Sequence, residues 1–206
     1  MKKIIITTLI LLITTSGFAQ FSRLLSFNSG GMLSVQWDIS KPMSPMNDFV
    51  GNTSLSGFNI DYKHCYQHNI IIGGRTGLDH FYENRLTVIK EGIDNTISLS
   101  YTKNTINAVP IMFVTDYMVK SEKFIPYVGV GIGVYYIGSK IVTDNVTTQN
   151  NNSFHFGVSP EIGITIPSIL SNFGFNFNTK YNYAFGTSKV SSYSWFNFSI
   201  GLSFMY

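Results

Sequence analysis

Charge is what this sequence has least of. Only 12% of its 206 residues are Asp, Glu, Lys or Arg, where about 25% is ordinary. Aromatics supply 15% and hydrophobic residues 44%. A water-soluble domain of that composition would risk aggregation, whereas a surface that meets lipid would not. Cysteine is nearly absent too: Cys65 stands alone, which excludes an internal disulfide. Its distance from the N-terminal leader also leaves no lipoprotein anchor there. Fourteen Lys and Arg against 11 Asp and Glu give a net charge of +3, which becomes +1 once Lys2 and Lys3 are removed with a leader. No basic field then remains to attract nucleic acid. After residue 19, no run approaches the roughly 18 uninterrupted apolar residues of a spanning helix. If the mature chain enters a membrane, it does so as strands.

The leader is itself informative. Lys2 and Lys3 precede an apolar core from Ile4 to Ile13, and Gly17-Phe18-Ala19 places small residues at −3 and −1 before Gln20. This pattern predicts a secretory signal peptide over 1–19, too short to span a bilayer, and a single domain over 20–206.

The C-terminus carries the clearest strand. Tyr206, Phe204, Leu202, Ile200, Phe198 and Phe196 share one parity, and Met205, Ser203, Gly201, Ser199, Asn197 and Trp195 the other. Side chains alternate across a strand, so this segment has one greasy face and one that is mostly small or polar. Its length suits the roughly 9–11 residues with which a tilted strand crosses the hydrocarbon layer. Phe204 and Tyr206 complete the outward stripe and form the candidate assembly signal.

The same alternation recurs upstream. Residues 20–28 read as a lead-in. Leu33, Val35 and Trp37 point outward from a first strand, and Ser40 to Asn52, with Pro42 and Pro45, reads as an outer loop and not a ladder. Phe58, Ile60 and Tyr62 face out from a second strand, with Asn59, Asp61 and Lys63 facing in. A third carries Arg75 and Asp79 on its inner parity. The stretch from Phe81 to Asn104 holds two β-prone runs flanking Glu91-Gly92-Ile93-Asp94-Asn95, which predicts a raised hairpin continuing strands three and four. Ser121-Glu122-Lys123 predicts a tight turn. Strand five sets Val128 to Tyr136 outward and Gly129, Gly131, Gly133 and Tyr135 inward. Ser139 to Asn152 reads as a second outer loop. Strand six points His155, Ser159 and Glu161 inward, strand seven does so with Asn176, Asn178, Lys180 and Asn182, and the terminal strand closes the set. An even number of about eight strands, short turns alternating with long loops, and apolar-out, polar-in alternation predict an all-β, antiparallel up-and-down transmembrane β-barrel.

Three stretches carry a family likeness: Ala108-Val109-Pro110-Ile111-Met112-Phe113, the run from Pro126 to Tyr135, and Ile200 to Tyr206. Through them the mature chain resembles the outer-membrane β-barrel domain family of Gram-negative bacteria that includes PorT-like and OmpA-like barrels. The likeness implies insertion into outer-membrane lipid by the barrel-assembly machinery, with both termini periplasmic. It specifies function weakly, because such barrels include secretion-accessory and adhesive members. No peptidoglycan-binding domain follows the barrel, so that role has no support.

Motifs that suggest chemistry have plainer readings. Gly129-Val130-Gly131-Ile132-Gly133 has the wrong spacing for a dinucleotide fingerprint and continues as a strand, and its small residues make room for large ones opposite. His64-Cys65-Tyr66-Gln67-His68 lacks the further ligands a metal needs. His155 with Ser153, Ser159 and Glu161 resembles a hydrolase set, but one strand spreads them too far for a triad. No catalytic, cofactor or metal residue is therefore assigned. Asp61, Arg75, Glu161 and Lys180 share inward parity and predict an interior charge network. Hairpin pairing sets Arg75 opposite Asn59 and diagonal to Asp61, and Lys180 opposite Ser159 and diagonal to Glu161. The function expected is non-enzymatic, with surface loops meeting an extracellular or secretion-system partner. A small-solute or hydrophobic-ligand channel is the alternative, and a lipid-modifying enzyme the third.

Overall fold

Eight alternating runs become eight strands, each hydrogen-bonded to its chain neighbours, and the last closes on the first. A computed structural model describes residues 30–67, 69–91, 96–119, 124–144, 146–168, 172–187 and 190–206. The predicted signal peptide, the lead-in over 20–28, His68, residues 92–95 and the 121–123 turn lie outside them. The strands are β1 (Gly31–Met43), β2 (Ser54–Gln67), β3 (Ile70–Glu91), β4 (Thr96–Met118), β5 (Ile125–Thr143), β6 (Val146–Pro167), β7 (Phe173–Ala184) and β8 (Tyr193–Met205). They form a closed antiparallel barrel in the order β1 to β8. β8 seals the seam, from Met32↔Met205 to Met43↔Ser194. Closure leaves no strand edge to face lipid, as a membrane requires.

Parity assigns the faces as expected. Leu33, Val35, Trp37, Phe58, Tyr62, Ile111, Phe113, Val128, Phe156, Phe175, Phe198 and Leu202 are exposed on the outside. On a soluble protein such a belt would be a liability; around a closed barrel it is the lipid-facing surface. The opposite parity fills the interior. Gly157 and Gly163 on β6 leave the room that the Tyr135 and Tyr127 rings occupy, and an added Cβ at either would lie 2.5 Å from a ring carbon.

Barrel height is uneven. β3 to β6 run for 19–23 residues, against 12–14 for β1, β2, β7 and β8. β2 leaves β3 at Phe58↔Leu78 and β7 leaves β6 at Gly157↔Ala184. β3 and β4 nevertheless stay paired to Glu91↔Thr96, and β5 and β6 to Thr143↔Val146. A four-stranded wall therefore rises from one side of the barrel. The raised hairpin of β3 and β4 is as predicted. The predicted outer loop over 139–152 is instead strand, with β5 and β6 paired almost to Asp144, whose φ of 47° turns the chain. Its Thr and Asn residues sit in a ladder because β4 offers a tall edge for β5 to pair with.

The other predicted loop also differs. β1 continues through Pro42, which pairs with Trp195. The β1–β2 ladder has ended by then, at Ser40↔Ser54, so Pro42 stands where β1 has an open edge that admits proline. The chain then makes a 3₁₀ turn over Met46–Asp48 and tucks into the mouth. Met46 and Val50 are buried there among Phe81, Ile106, Tyr135, Ile137 and Trp195. The segment is exposed at Ser44, Pro45, Asn47, Asp48 and Asn52, and through Met46 and Val50 it also caps the barrel. At the end that holds Gly30 and Tyr206, a smaller apolar cluster joins Ile71, Met118, Ile125 and Tyr127.

Candidate functional site

Between these two apolar clusters the lumen is polar, because one face of every strand must point there. On β2 and β3, Asp61 lies directly opposite Arg75, two residues along β2 from the predicted Asn59 partner. The cause is the hairpin end: its last pair is Gln67↔Ile70, so the turn comes later in the chain than one centred on Gln67. Arg75 donates from Nε to Asp61 Oδ1 and from Nη2 to Oδ2, each at 2.7 Å. Its Nη2 also reaches Glu161 Oε2 across the lumen at 2.5 Å. Lys63 Nζ joins the same group, at 2.6 Å from Asp116 Oδ2, 3.0 Å from Glu161 Oε1 and 3.4 Å from Asp61 Oδ2. The ammonium lies 5.0 Å from the centre of the Tyr127 ring. All five charged side chains are buried.

Lys180 stands apart from that cluster. It is opposite Glu161 in register, two residues along β6 from the predicted Ser159. The two side chains do not meet: Glu161 turns to Arg75 and Lys63, and Lys180 Nζ lies 3.5 Å from Asp38 Oδ1. The predicted second ladder is thus replaced by a separate knot. Asp38 accepts from Asn59 Nδ2 at 2.7 Å and from Asn197 Nδ2 at 3.2 Å. Asp79 accepts from Ser40 Oγ at 2.7 Å, Trp195 Nε1 at 3.0 Å and Asn197 Nδ2 at 3.0 Å. Each buried carboxylate is met by donors, the condition for keeping charge out of water. Lys63, Asp116, Asp38 and Asp79 join these clusters beyond the four predicted members. Three carry a signal in the alternation, since Lys63 shares the inner face with Asp61, and Asp38 and Asp79 each alternate with outward residues.

Geometry also disposes of the hydrolase set as an assembled triad. Ser153 Oγ lies 2.7 Å from His155 Nε2, but His155 Nδ1 faces the Phe185 carbonyl at 2.8 Å, so no carboxylate orients the ring. Glu161 is held by Arg75 and Lys63, and Ser159 donates to Asn182 at 2.9 Å. Cys65 is buried and donates its thiol to the Gln67 carbonyl. Among the described residues, no group of three or more His, Cys, Asp or Glu side chains could hold a metal.

At the mouth, polar contacts fasten the cap to the wall. Glu83 Oε2 accepts the Gly51 N–H at 2.5 Å, and its Oε1 accepts Arg85 Nε at 2.6 Å. Arg85 Nη2 donates to the Asp48 carbonyl at 3.0 Å, and Asn104 Nδ2 to that of Phe49 at 2.9 Å. The Arg85 bond, then the Gly51 N–H, hold the Glu83 carboxyl below its ordinary value.

At the opposite end, Phe204 and Tyr206 face outward. Tyr206 and Gly31 exchange two backbone hydrogen bonds at 2.8 and 3.0 Å, which close the seam. Tyr206 Oη lies 3.0 Å from Tyr62 Oη, and Phe204 packs against Phe173 with ring centres 5.2 Å apart.

No family model matches the chain, and no curated protein matches its sequence. Solved structures do. Ail, the attachment invasion locus protein of Yersinia pestis, aligns over 87% of this chain and 99% of its own, with TM-score 0.50 and 13% identity. Neisserial surface protein A aligns over 84% of this chain and 96% of its own, with TM-score 0.54 and 12% identity. Identities this low speak to architecture and not to activity. With the closed eight-strand ring and its lipid-facing belt, they make this chain a small outer-membrane β-barrel in fold.

Proposed function

We propose that this is a non-enzymatic integral outer-membrane protein that displays its tall β3–β6 wall to a partner outside the cell. The observation that carries the reading is the contrast between a filled lumen and an elaborated wall. An eight-stranded barrel is only just wide enough for its own side chains. Here Trp195 and Tyr135 are fully buried, the charge clusters fill the middle, and the 45–53 segment stops the mouth. By contrast, residues 146–152 of the wall are all exposed. In this reading the 1–19 leader exports the chain, the barrel-assembly machinery inserts it by its terminal strand, and both termini stay periplasmic.

A two-part experiment tests this. Asn84, exposed on the wall, is changed to Cys in a Cys65→Ser background, and intact cells are treated with a membrane-impermeant maleimide. Labelling of intact cells is expected, and labelling only after lysis would invert the topology. Purified protein in a planar bilayer should give no stable conductance steps; reproducible steps would promote the channel reading.

A further inference from the structure

Above Gly157, β6 has no neighbour on its β7 side. Among the described residues, nothing hydrogen-bonds to the backbone of 146–154 from that side, while β5 occupies the other. The direction of the unused groups follows from one bond. Phe156 O accepts the Phe185 N–H on the β7 side. Successive residues of a strand point their N–H and C=O to alternate sides, so Phe154, Asn152 and Asn150 aim theirs at the open side as well.

Proteins usually guard such an edge with charge or proline. The wall's other free edge, on β3 beyond Leu78, carries Glu83 and Arg85, and the cap is fastened to it. The β6 edge reads Val146-Thr147-Thr148-Gln149-Asn150-Asn151-Asn152-Ser153, with no charge and no proline. It is β-prone, exposed and unguarded.

Charge beside that edge is of one sign. Lys140 lies opposite Asn150, which places it on the outward face next to β6. Lys103 is one strand farther off on β4, with its ammonium 5.8 Å from the centre of the Tyr82 ring on β3. Lys140 is exposed, and among the described residues it meets no carboxylate within salt-bridge distance. The described carboxylates nearby are engaged: Glu83 by Gly51 and Arg85, and Asp144 by the Tyr101 N–H and Ser100 Oγ.

Resting on the reading of the wall as a partner surface, we infer that the open edge of β6 takes an extended strand of a partner protein, with acidic side chains on its outward face. Main-chain hydrogen bonds to residues 150, 152 and 154 would supply affinity, and Lys140 the preference for an acidic strand. A second copy in the same membrane fits poorly. An axis along the membrane normal gives it a β6 that climbs in the same direction, and the opposite tilt crosses the two strands.

The probe is a nine-residue peptide of alternating Thr and Glu, with a Thr–Lys peptide as control. Binding is measured by fluorescence anisotropy to full-length mature protein in zwitterionic micelles. Wild-type protein should prefer the Glu peptide by about tenfold or more, the scale of a charge pairing across an interface. Asn150→Pro with Asn152→Pro removes two open-side N–H groups and leaves the β5 ladder intact, and should abolish binding without altering heat-modifiable gel mobility. Lys140→Glu should reverse the preference. Binding by the proline variant equal to wild type would overturn the proposal, since Lys140 alone would then be attracting any polyanion, lipid phosphate included. Absence of peptide binding at millimolar concentration, or crosslinks between β6 edges of two copies, would overturn it too. Because the assay uses purified protein, its failure is separate from a topology shown to be inverted by the Asn84→Cys label.

Discussion

Arg75 and Asp61 face each other across neighbouring strands and share two parallel hydrogen bonds of 2.7 Å. A guanidinium bound in this forked way is fixed in angle as well as distance. Its Nη2 also holds Glu161 from the far wall, so one side chain ties β3 to β2 and β6. In Arg75→Ala, Lys63 would be left to serve Asp61, Glu161 and Asp116 alone. Removing one member of a buried charged pair costs about 3–5 kcal/mol. The variant should unfold at lower urea concentration by gel mobility, while Arg75→Met with Asp61→Leu should recover most of the loss. An unchanged midpoint for Arg75→Ala would mean the cluster is only filler.

The seam calls for a different test. Gly31 and Tyr206 exchange backbone hydrogen bonds where β8 returns to β1, and Phe204 adds its ring to Phe173. Deleting residues 204–206 removes the last pairs of the closing ladder and leaves an open edge, which lipid does not tolerate. Truncated chain should therefore accumulate unfolded in the periplasm, as membrane fractionation would show. Normal membrane yield would remove the terminal residues from assembly.

The fold was legible because one rule, alternation, operates along nearly every strand and fixes which face meets lipid. Leu33 to Trp37 and Phe198 to Leu202 lie where their parity put them. Partner identities were less legible, since register depends on hairpin ends. The β2–β3 hairpin ends at Gln67↔Ile70 and not around a turn centred on Gln67, which moves the partner of Arg75 from Asn59 to Asp61. The reach of long side chains was not legible at all. Glu161 and Lys180 are opposite in register yet choose different partners, because Arg75 and Lys63 present more donors to Glu161 across the lumen. Loop composition misled for a related reason. The Thr- and Asn-rich 146–152 segment is strand only because β5 is there to pair with it.

Acid should loosen the cap. Glu83 binds the Gly51 N–H and Arg85 as a carboxylate, and its folded pKa is lowered, first by the Arg85 hydrogen bond. A lowered carboxyl contributes stability above its ordinary value, and that stability is lost as pH falls through the lowered one. Hydrogen exchange at 46–51 should thus hold steady from neutral pH down to the ordinary glutamate range and rise below it, after correction for intrinsic rates. Glu83→Gln should exchange faster at neutral pH and show no such step. A step of equal size in the Gln variant would assign the effect to another group.

Tyr135 and Gly157 offer the sharpest test of how the lumen is packed. The Tyr135 ring lies over Gly157, where an added Cβ would approach Cε2 to 2.5 Å. It also meets the Trp195 ring edge-on, 5.1 Å between centres, and donates its hydroxyl to Asn182 at 3.0 Å. The ring is therefore held on three sides and cannot swing away from a new side chain. Overpacking of this kind costs about 1–3 kcal/mol, so Gly157→Ala should destabilise the barrel by that order. Tyr135→Ala alone should cost about 3–5 kcal/mol, the range for deleting a buried aromatic ring. An added Cβ at 157 would also lie 2.5 Å from the Tyr183 carbonyl oxygen, a clash that persists when the ring is gone. In the double variant only the ring's share of the overpacking is relieved, so the combined loss should fall below the sum of the separate ones by that share alone. Strict additivity in a urea-unfolding cycle would show that the Tyr183 carbonyl, and not the ring, is what excludes a side chain at 157.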